Sequence, residues 1–325
     1  MGLMLAQLGL GLTCFLAGMS FLRRGLIHAT SRRVKRLLAR FASSPFVGAL
    51  TGTFVTAVIQ SSSAVTVLVV GLVDAGILDL YQAFGIIIGA NVGTTMTAQL
   101  IAFDIEGLGL SCIVLGAAFL LVGRVSRVLS PLPGRGHARR TVPEIIGEAM
   151  LGLGLLFGGM RIMTGAAGVI RDDPMLVGYL VAFGQSAFWG TVAGAIFTGI
   201  IQSSSATTAI VLAFARQGLL PLEGSMGLIL GSNIGTCVTA LLAGLGTGST
   251  ARKAALAHLL FNVFGVAIVF PFIRPFGILV SLTSDDLPRQ VANAHALFNL
   301  ISAALVLPWA RRFVDMILFV SGGRD

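Results

Sequence analysis

Four consecutive polar residues interrupt an otherwise apolar run at two places in the chain. Gln60-Ser61-Ser62-Ser63 lies within residues 54–71, and Gln202-Ser203-Ser204-Ser205 lies within residues 197–213, at an offset of 142. The offset holds without a gap, since residues 60–97 and 202–239 share 17 of 38 letters. Burying unsatisfied amides and hydroxyls in lipid is costly. Two copies of so costly a feature indicate one binding site with a contribution from each half of the chain.

The composition places these segments in a membrane. Of 325 residues, 55% are hydrophobic and 11% are charged, with a mean hydropathy of +0.93, whereas about a quarter of the residues in a soluble domain are charged. The apolar runs are roughly 20 residues long, the length of a spanning helix rather than of a barrel strand. The sequence therefore predicts an all-α polytopic membrane protein. The net charge of +9 is concentrated in clusters between apolar runs, so it indicates topology and not nucleic-acid binding.

The apolar runs predict about seven spanning helices and two re-entrant hairpins. Residues 46–75 and 187–217 each contain two apolar arms, too short to span, around a polar centre, which predicts a hairpin that enters and leaves on one side. A basic segment at 23–44 predicts an amphipathic surface helix. The predicted spans are residues 3–22, 80–103, 107–123, 145–170, 221–244, 254–273 and 290–309.

A second polar segment follows each hairpin. Residues 89–95 read Gly-Ala-Asn-Val-Gly-Thr-Thr, and residues 231–237 read Gly-Ser-Asn-Ile-Gly-Thr-Cys. Paired glycines and polar side chains in mid-span predict a broken helix in each half. The ends of such half-helices would present free N–H groups and carbonyls to the gap between them.

The charge pattern predicts that the two halves are inverted repeats. Basic clusters fall on one side of the predicted spans and acidic residues on the other, in agreement with the positive-inside rule. The first span then runs inward and its copy at 145–170 runs outward. We expect a multi-pass inner-membrane protein with its N-terminus outside and its C-terminus in the cytoplasm. Its predicted divisions are a first repeat (1–123), a basic cytoplasmic linker (124–144), a second repeat (145–273) and an additional helix with a tail (274–325).

The chemistry of the polar segments suits a small oxyanion together with sodium. Helix N-termini, hydroxyls and the glutamine amide donate hydrogen bonds to an anion, whereas carbonyl and amide oxygens suit a hard cation. No Arg or Lys lies in these segments, so co-bound sodium ions are expected to supply the positive charge and thereby to couple the two solutes. Isolated serines in membrane helices often serve packing alone, but two copies in register favour a site. Inverted repeats around such a site are typical of secondary transporters with alternating access.

The paired Gln-Ser-Ser-Ser segments, each followed by Gly-(Ala/Ser)-Asn-(Val/Ile)-Gly-Thr, resemble the type II sodium–phosphate cotransporter family over residues 5–310. The resemblance implies sodium-driven transport of inorganic phosphate across the lipid bilayer, with no organic cofactor, no nucleic acid and no enzymatic activity. Many bacterial relatives continue into a cytoplasmic regulatory domain, which this chain is expected to lack. The phosphate-binding residues it implies are Gln60, Ser61, Ser62, Ser63, Asn91, Gln202, Ser203, Ser204, Ser205 and Asn233. The sodium ligands it implies are Gln60, Ser63, Thr94, Thr95, Gln202, Ser205 and Thr236, and none at Cys237, which stands where the first half has Thr95.

Other functions stay open at this point. Sulfate or a small carboxylate could replace phosphate, transport could run as export, and a passive channel or a phosphate sensor would use similar residues. An intramembrane hydrolase, with a hairpin serine as nucleophile and His258 as base, lacks a Gly-x-Ser-x-Gly segment. A homodimer is neither required nor excluded.

Several polar residues outside the two segments carry weaker expectations. His258 with Asn262, and His295 with Asn299, are four residues apart on one helix face, which favours interhelical hydrogen bonds over a proton relay. Arg161 is expected to face the anion path, to snorkel or to pair with Glu148. Asp74 and Arg216 occupy equivalent positions in the two halves, where we expect exposure to solvent.

Overall fold

A computed structural model describes residues 2–40, 44–103, 108–129, 140–171, 178 and 186–321, with side chains described throughout except at 27–40, 128–129 and 170–171. The described part of the chain is helical and contains no strand. Short 3-10 turns at Phe270–Phe272 and Leu307–Trp309 join consecutive helices. In chain order the helices are α1 (Gly2–Arg40), α2 (Pro45–Ile59), α3 (Ser62–Asp74), α4 (Leu80–Ala102), α5 (Leu108–Leu129), α6 (Val142–Arg171), α7 (Ala187–Ile201), α8 (Ser204–Arg216), α9 (Leu222–Gly244), α10 (Ser249–Val269), α11 (Ile273–Ser281), α12 (Leu287–Val306) and α13 (Ala310–Val320).

Seven helical stretches of the described chain are long and apolar enough to cross a membrane, which confirms the predicted number. The chain is therefore an all-α, multi-pass membrane protein. The predicted outer loops at 104–106 and 172–173, and residues 130–139 of the basic linker, lie outside the described residues. The seven stretches are Gly2–Leu26, Leu80–Ala102, Leu108–Arg127, Val142–Val169, Leu222–Gly244, Ser249–Ser281 and Leu287–Val320.

Helix α1 continues through the basic segment instead of ending near residue 22. The sequence predicted a separate surface helix at 23–44, whereas α1 runs unbroken to Arg40. The basic segment is rich in Arg, Leu and Ala, which are strong helix formers, and it contains no proline. Nothing in its sequence therefore ends the helix.

The two predicted hairpins are helix–turn–helix units of matching geometry. Each consists of a 15-residue helix followed by a 13-residue helix. Ser44 and Ser186 cap the first helices through their side-chain oxygens, as serine commonly does at this position. The turn comes at Gln60 and Gln202, whose backbones are left-handed, with φ of 57° and 56°. The repeat in sequence is thus also a repeat in structure.

Helices α4 and α9 are continuous, so the predicted broken helices are wrong. The glycines of the second polar segments serve close packing: a Cβ on Gly93 would lie 2.6 Å from the Thr53 carbonyl of α2, and one on Gly235 would lie 2.5 Å from the Ala195 carbonyl of α7. Most of the polar side chains there are satisfied within their own helix, since they donate to carbonyls of the preceding turn. In each half, the helix is therefore interrupted at the hairpin turn and is continuous through the second polar segment.

The glycine packing makes a testable difference between two positions of the same half. We expect Gly93→Ala to destabilise the protein by about 1–3 kcal/mol, since the added methyl meets backbone that cannot move easily. The matched control is Gly71→Ala on α3, where an added Cβ meets nothing within 4 Å and the better helix propensity of alanine should be neutral or stabilising. Melting temperatures of the detergent-purified variants measure the difference, and equal values for both would contradict it.

Helix α1 and α6, which are copies in sequence, pack against each other in antiparallel orientation. A Cβ on Gly11 would lie 2.9 Å from the Gly159 carbonyl, and one on Gly18 would lie 2.6 Å from the Gly152 carbonyl. Residue numbers thus fall along α6 as they rise along α1. Opposite directions for the two copies are what an inverted repeat requires.

The far ends of the two hairpins are fastened to helix ends of the opposite halves. Asp74, which ends α3, accepts a 2.7 Å hydrogen bond from the Gly248 N–H at the start of α10. Arg216, which ends α8, donates to the Ile101 and Ala102 carbonyls at the end of α4, at 3.2 and 3.5 Å. Each charge has the sign that suits the helix end it meets. Asp74 is exposed as expected, but Arg216 is half-buried, so simple exposure to solvent does not describe the pair.

Candidate functional site

Each hairpin turn presents the N-terminus of a helix. Ser61 and Ser203 are the N-caps of α3 and α8, and their side-chain oxygens accept hydrogen bonds from Ala64 N and Ala206 N, both at 3.3 Å. The amide groups of the next two serines in each copy are the first of a helix, which have no acceptor within it. The positive end of the helix dipole lies at the same place. Each tip can therefore bind an anion through backbone N–H groups and serine hydroxyls, and the side chains of Ser62, Ser204 and Ser205 are buried there.

The first tip is held by hydrogen bonds from two other helices. The Gln60 side-chain oxygen accepts a 2.9 Å bond from the Thr97 hydroxyl of α4, and its amide donates to the Ala57 carbonyl. The Gln60 backbone carbonyl accepts a 3.0 Å bond from Nε of Arg23 on α1. Gln60 is accordingly buried.

The contact of Arg23 with the first tip is a feature that the sequence reasoning missed. Arg23 was treated as part of a basic cluster that sets topology, and the site was expected to have no fixed positive charge. In the structure, the guanidinium contacts the backbone of the first tip, so a fixed positive charge lies beside that segment. The sequence gives no signal for this contact, because Arg23 follows the predicted span 3–22 and the second half has no arginine at the equivalent position.

Within the described ranges, the second tip lacks these contacts. Gln202 is exposed, although its backbone matches that of Gln60. Thr239 occupies the position equivalent to Thr97, and its hydroxyl is buried without a hydrogen-bond partner among the described residues. The two tips therefore have the same backbone conformation but different surroundings. The first tip is buried and hydrogen-bonded to neighbouring helices, which we call seated, and the second is exposed, which we call open.

The asparagines of the second polar segments show the same asymmetry. Asn91 is fully paired: its amide donates to Asn262 Oδ1 at 2.7 Å, and its side-chain oxygen lies 3.1 Å from His258 Nε2. Both partners are on α10, so the expected interhelical bonding is confirmed there, and His258 faces Asn91 rather than a hairpin serine.

The equivalent side chains in the second half make fewer and longer hydrogen bonds between helices. Asn233 Oδ1 lies 3.5 Å from Asn299 Nδ2, and the Asn233 amide donates to Ile229 of its own helix at 2.9 Å. His295 is buried, and neither of its ring nitrogens has a partner in the described part of the chain. The cross-helix bonding predicted for the second His–Asn pair is thus limited to the long Asn233–Asn299 contact.

The threonines among the candidate sodium ligands have hydroxyl groups that already donate their hydrogens. Thr94, Thr95 and Thr236 donate to carbonyls of their own helices at 2.7–2.9 Å. A hydroxyl that donates its hydrogen keeps its lone pairs for another partner. The described residues contain no group of three or more His, Cys, Asp or Glu that could hold a metal ion, so a cation bound there would use neutral oxygens, which suits sodium.

The other charged candidates lie apart from the tips. Arg161 is exposed, and Glu148 forms its ion pair with Arg140 instead of with Arg161. A second ion pair joins Arg127 to Glu144. Both pairs hold residues at the two ends of the linker against α6.

Comparisons with known proteins place this arrangement in a wider group. A family model described as Na+/Pi-cotransporter matches residues 14–165 and 174–307. The chain is 34% identical to the uncharacterized protein YqeW of Bacillus subtilis, over 84% of this chain and 83% of that protein. It is 27% identical to the putative inorganic phosphate export protein YjbB of Escherichia coli K12, over 79% of this chain and 45% of that protein.

A more distant match is to an animal transporter. The chain is 22% identical to sodium-dependent phosphate transport protein 2A of Mus musculus, over 70% of this chain and 54% of that protein. The chain thus spans about half the length of that protein and of YjbB. No solved structure matches the chain.

Proposed function

This chain belongs to the Na+/Pi-cotransporter family, and we propose that it is a secondary transporter that moves inorganic phosphate across the membrane together with sodium. The observation that carries the proposal is the pair of hairpin tips, each with a left-handed glutamine followed by the N-terminus of a helix. A phosphate held between such tips would accept hydrogen bonds from backbone N–H groups and from serine hydroxyls.

The glutamines offer a means of choosing phosphate over sulfate. Hydrogenphosphate carries a hydroxyl that donates a hydrogen bond, whereas sulfate at neutral pH has none. The side-chain oxygen of Gln60 already accepts from Thr97, while that of Gln202 is exposed. We assign the discrimination to Gln202, because a site that hydrogen-bonds a substrate hydroxyl rejects analogues that lack it.

Sodium would bind beside the anion through neutral oxygens. The candidates are the hairpin residues Gln60, Ser63, Gln202 and Ser205 and the threonines Thr94, Thr95 and Thr236. With no carboxylate among them, binding of the cation is favoured when the anion is present, and binding of the anion when the cation is present. This reciprocity is the coupling free energy that a symporter needs.

The antiparallel packing of α1 on α6 and the difference between the two tips support alternating access by inverted repeats. In this proposal the first repeat (1–123) and the second (145–273) exchange their open and seated arrangements. We further propose an inner-membrane location with the N-terminus outside. Net direction depends on the gradients, so export, which the name of YjbB describes, is the second candidate.

Uptake of labelled phosphate into proteoliposomes tests the proposal. A sodium gradient of about tenfold supplies about 1.4 kcal/mol per ion and supports about tenfold accumulation of phosphate for each coupled ion. We expect accumulation with an inward sodium gradient and none with choline in its place, and excess sulfate should compete weakly. Equal uptake in sodium and choline would refute the coupling. Full competition by sulfate would refute the assigned selectivity.

A further inference from the structure

The charges at the first hairpin tip do not sum to zero. Gln60 ends α2 and Ser62 begins α3, so a negative and a positive helix end meet at this turn. Their partial charges, about −0.5 and +0.5, cancel, and the unit charge of the Arg23 guanidinium remains. The tip of the first hairpin therefore carries a net positive charge of about one.

No carboxylate neutralises this charge within the described residues. Arg23 belongs to neither of the ion pairs that join Arg127 with Glu144 and Arg140 with Glu148. Arg23 is half-buried and lies inside a candidate span, where an uncompensated charge is costly. An anion bound at the tip would neutralise this charge.

The guanidinium has the geometry to hold that anion. Its Nε–H donates a 3.0 Å hydrogen bond to the Gln60 carbonyl. That carbonyl is the hydrogen-bond partner of Arg23 among the described residues. The terminal nitrogens carry four further N–H groups, which form the planar fork that binds two oxygens of a phosphate. The Gln60 contact holds the guanidinium at the turn between α2 and α3.

No described residue brings such a charge to the second tip. The alignment of the α1 and α6 segments, at Leu8-Gly9-Leu10-Gly11 and Leu151-Gly152-Leu153-Gly154, places Ala166 at the position of Arg23. The helix ends at Gln202 also cancel, so that tip is close to neutral. The anion affinity of the two tips therefore differs by the contribution of one arginine.

We propose that Arg23 is an anion-binding residue that supplies the fixed positive charge of the phosphate site, a role that rests on the function proposed above. Replacing it should weaken phosphate binding by about 10- to 100-fold, the usual effect of losing a hydrogen-bonded charge. The alternative is that Arg23 only caps the C-terminus of α2.

Three variants of the full chain separate these roles. Arg23→Gln keeps an N–H donor for the Gln60 carbonyl but removes the charge, Arg23→Lys keeps the charge but not the fork, and Arg24→Gln removes a neighbouring exposed charge that stacks over Phe21. The dissociation constant for phosphate is measured from the dependence of melting temperature on phosphate concentration in detergent, with sodium constant.

We expect Arg23→Gln to bind 10-fold or more weakly, Arg23→Lys to recover part of the affinity, and Arg24→Gln to bind within about twofold of wild type. A wild-type affinity in Arg23→Gln, with or without a lower melting temperature, would overturn the proposal, as would the absence of any phosphate-dependent shift in wild type. Arg23-dependent binding without sodium-driven uptake in proteoliposomes would instead reject the transport function and leave the anion site standing.

Discussion

Replacing Ser62 and Ser204 together by alanine is expected to abolish sodium-driven accumulation of phosphate. Both side chains are buried at the hairpin tips, 5% and 8% exposed, and each follows the N-cap of its helix. Losing a hydrogen bond to a charged group costs about 1.5–3 kcal/mol. Two such losses predict a decrease in initial rate on the order of 10² to 10⁴ at low phosphate.

A third serine provides the control for this result. Ser225 is fully buried on α9, and the equivalent position in the first half is Ala83, so the repeat itself shows that alanine fits. Ser225→Ala should transport like wild type. Near-normal uptake by the double variant, with correct insertion and folding, would place the anion away from the tips.

Replacing Asn91 by alanine is expected to destabilise the protein far more than the same change at Asn233. The first change leaves His258 Nε2 and Asn262 Oδ1 without their cross-helix partner in a buried position. Interhelical hydrogen bonds in membranes average only about 0.6 kcal/mol. Two buried groups left unsatisfied add about 1–3 kcal/mol each, so we expect a total loss of about 3–6 kcal/mol.

The second change removes only a 3.5 Å contact and a bond within one helix, so about 1 kcal/mol is expected. Melting temperatures of the two variants without phosphate measure the difference, and they are independent of any role in transport. A larger loss in Asn233→Ala, or equal losses, would show that the asymmetry between the halves does not persist in solution.

The architecture could be predicted from sequence because polar residues within apolar runs limit where a membrane helix can begin and end. The position of the two turns, the arms of about 15 residues and the seven spans all follow from where apolar runs stop. The broken helices could not be judged in this way. The same glycines that permit a break also permit contact between backbones, and only the packing of α4 on α2 and of α9 on α7 distinguishes the two uses.

The residues of the candidate site that occur in both halves could be predicted from the sequence. The residues that contact the site from only one half could not. Arg23 lies 37 residues before the tip that it contacts, and its copy in the second half is Ala166, so the repeat gave no reason to include it. The partners of Asn91 lie 167 and 171 residues away on α10. Such pairings depend on how the halves dock, which a local pattern does not contain.

The anchors at the ends of the hairpins limit how alike the two halves can be. Asp74 meets helix N–H groups and Arg216 meets helix carbonyls, yet both sit at one position of the repeat. A chain made of two identical first halves would put a carboxylate against the carbonyls that end α4, and one made of two identical second halves would put a guanidinium against the start of α10. Either duplication would set like charges together. The two halves can therefore no longer be interchanged, and any ancestor with identical halves must have used an uncharged residue here or a different anchor.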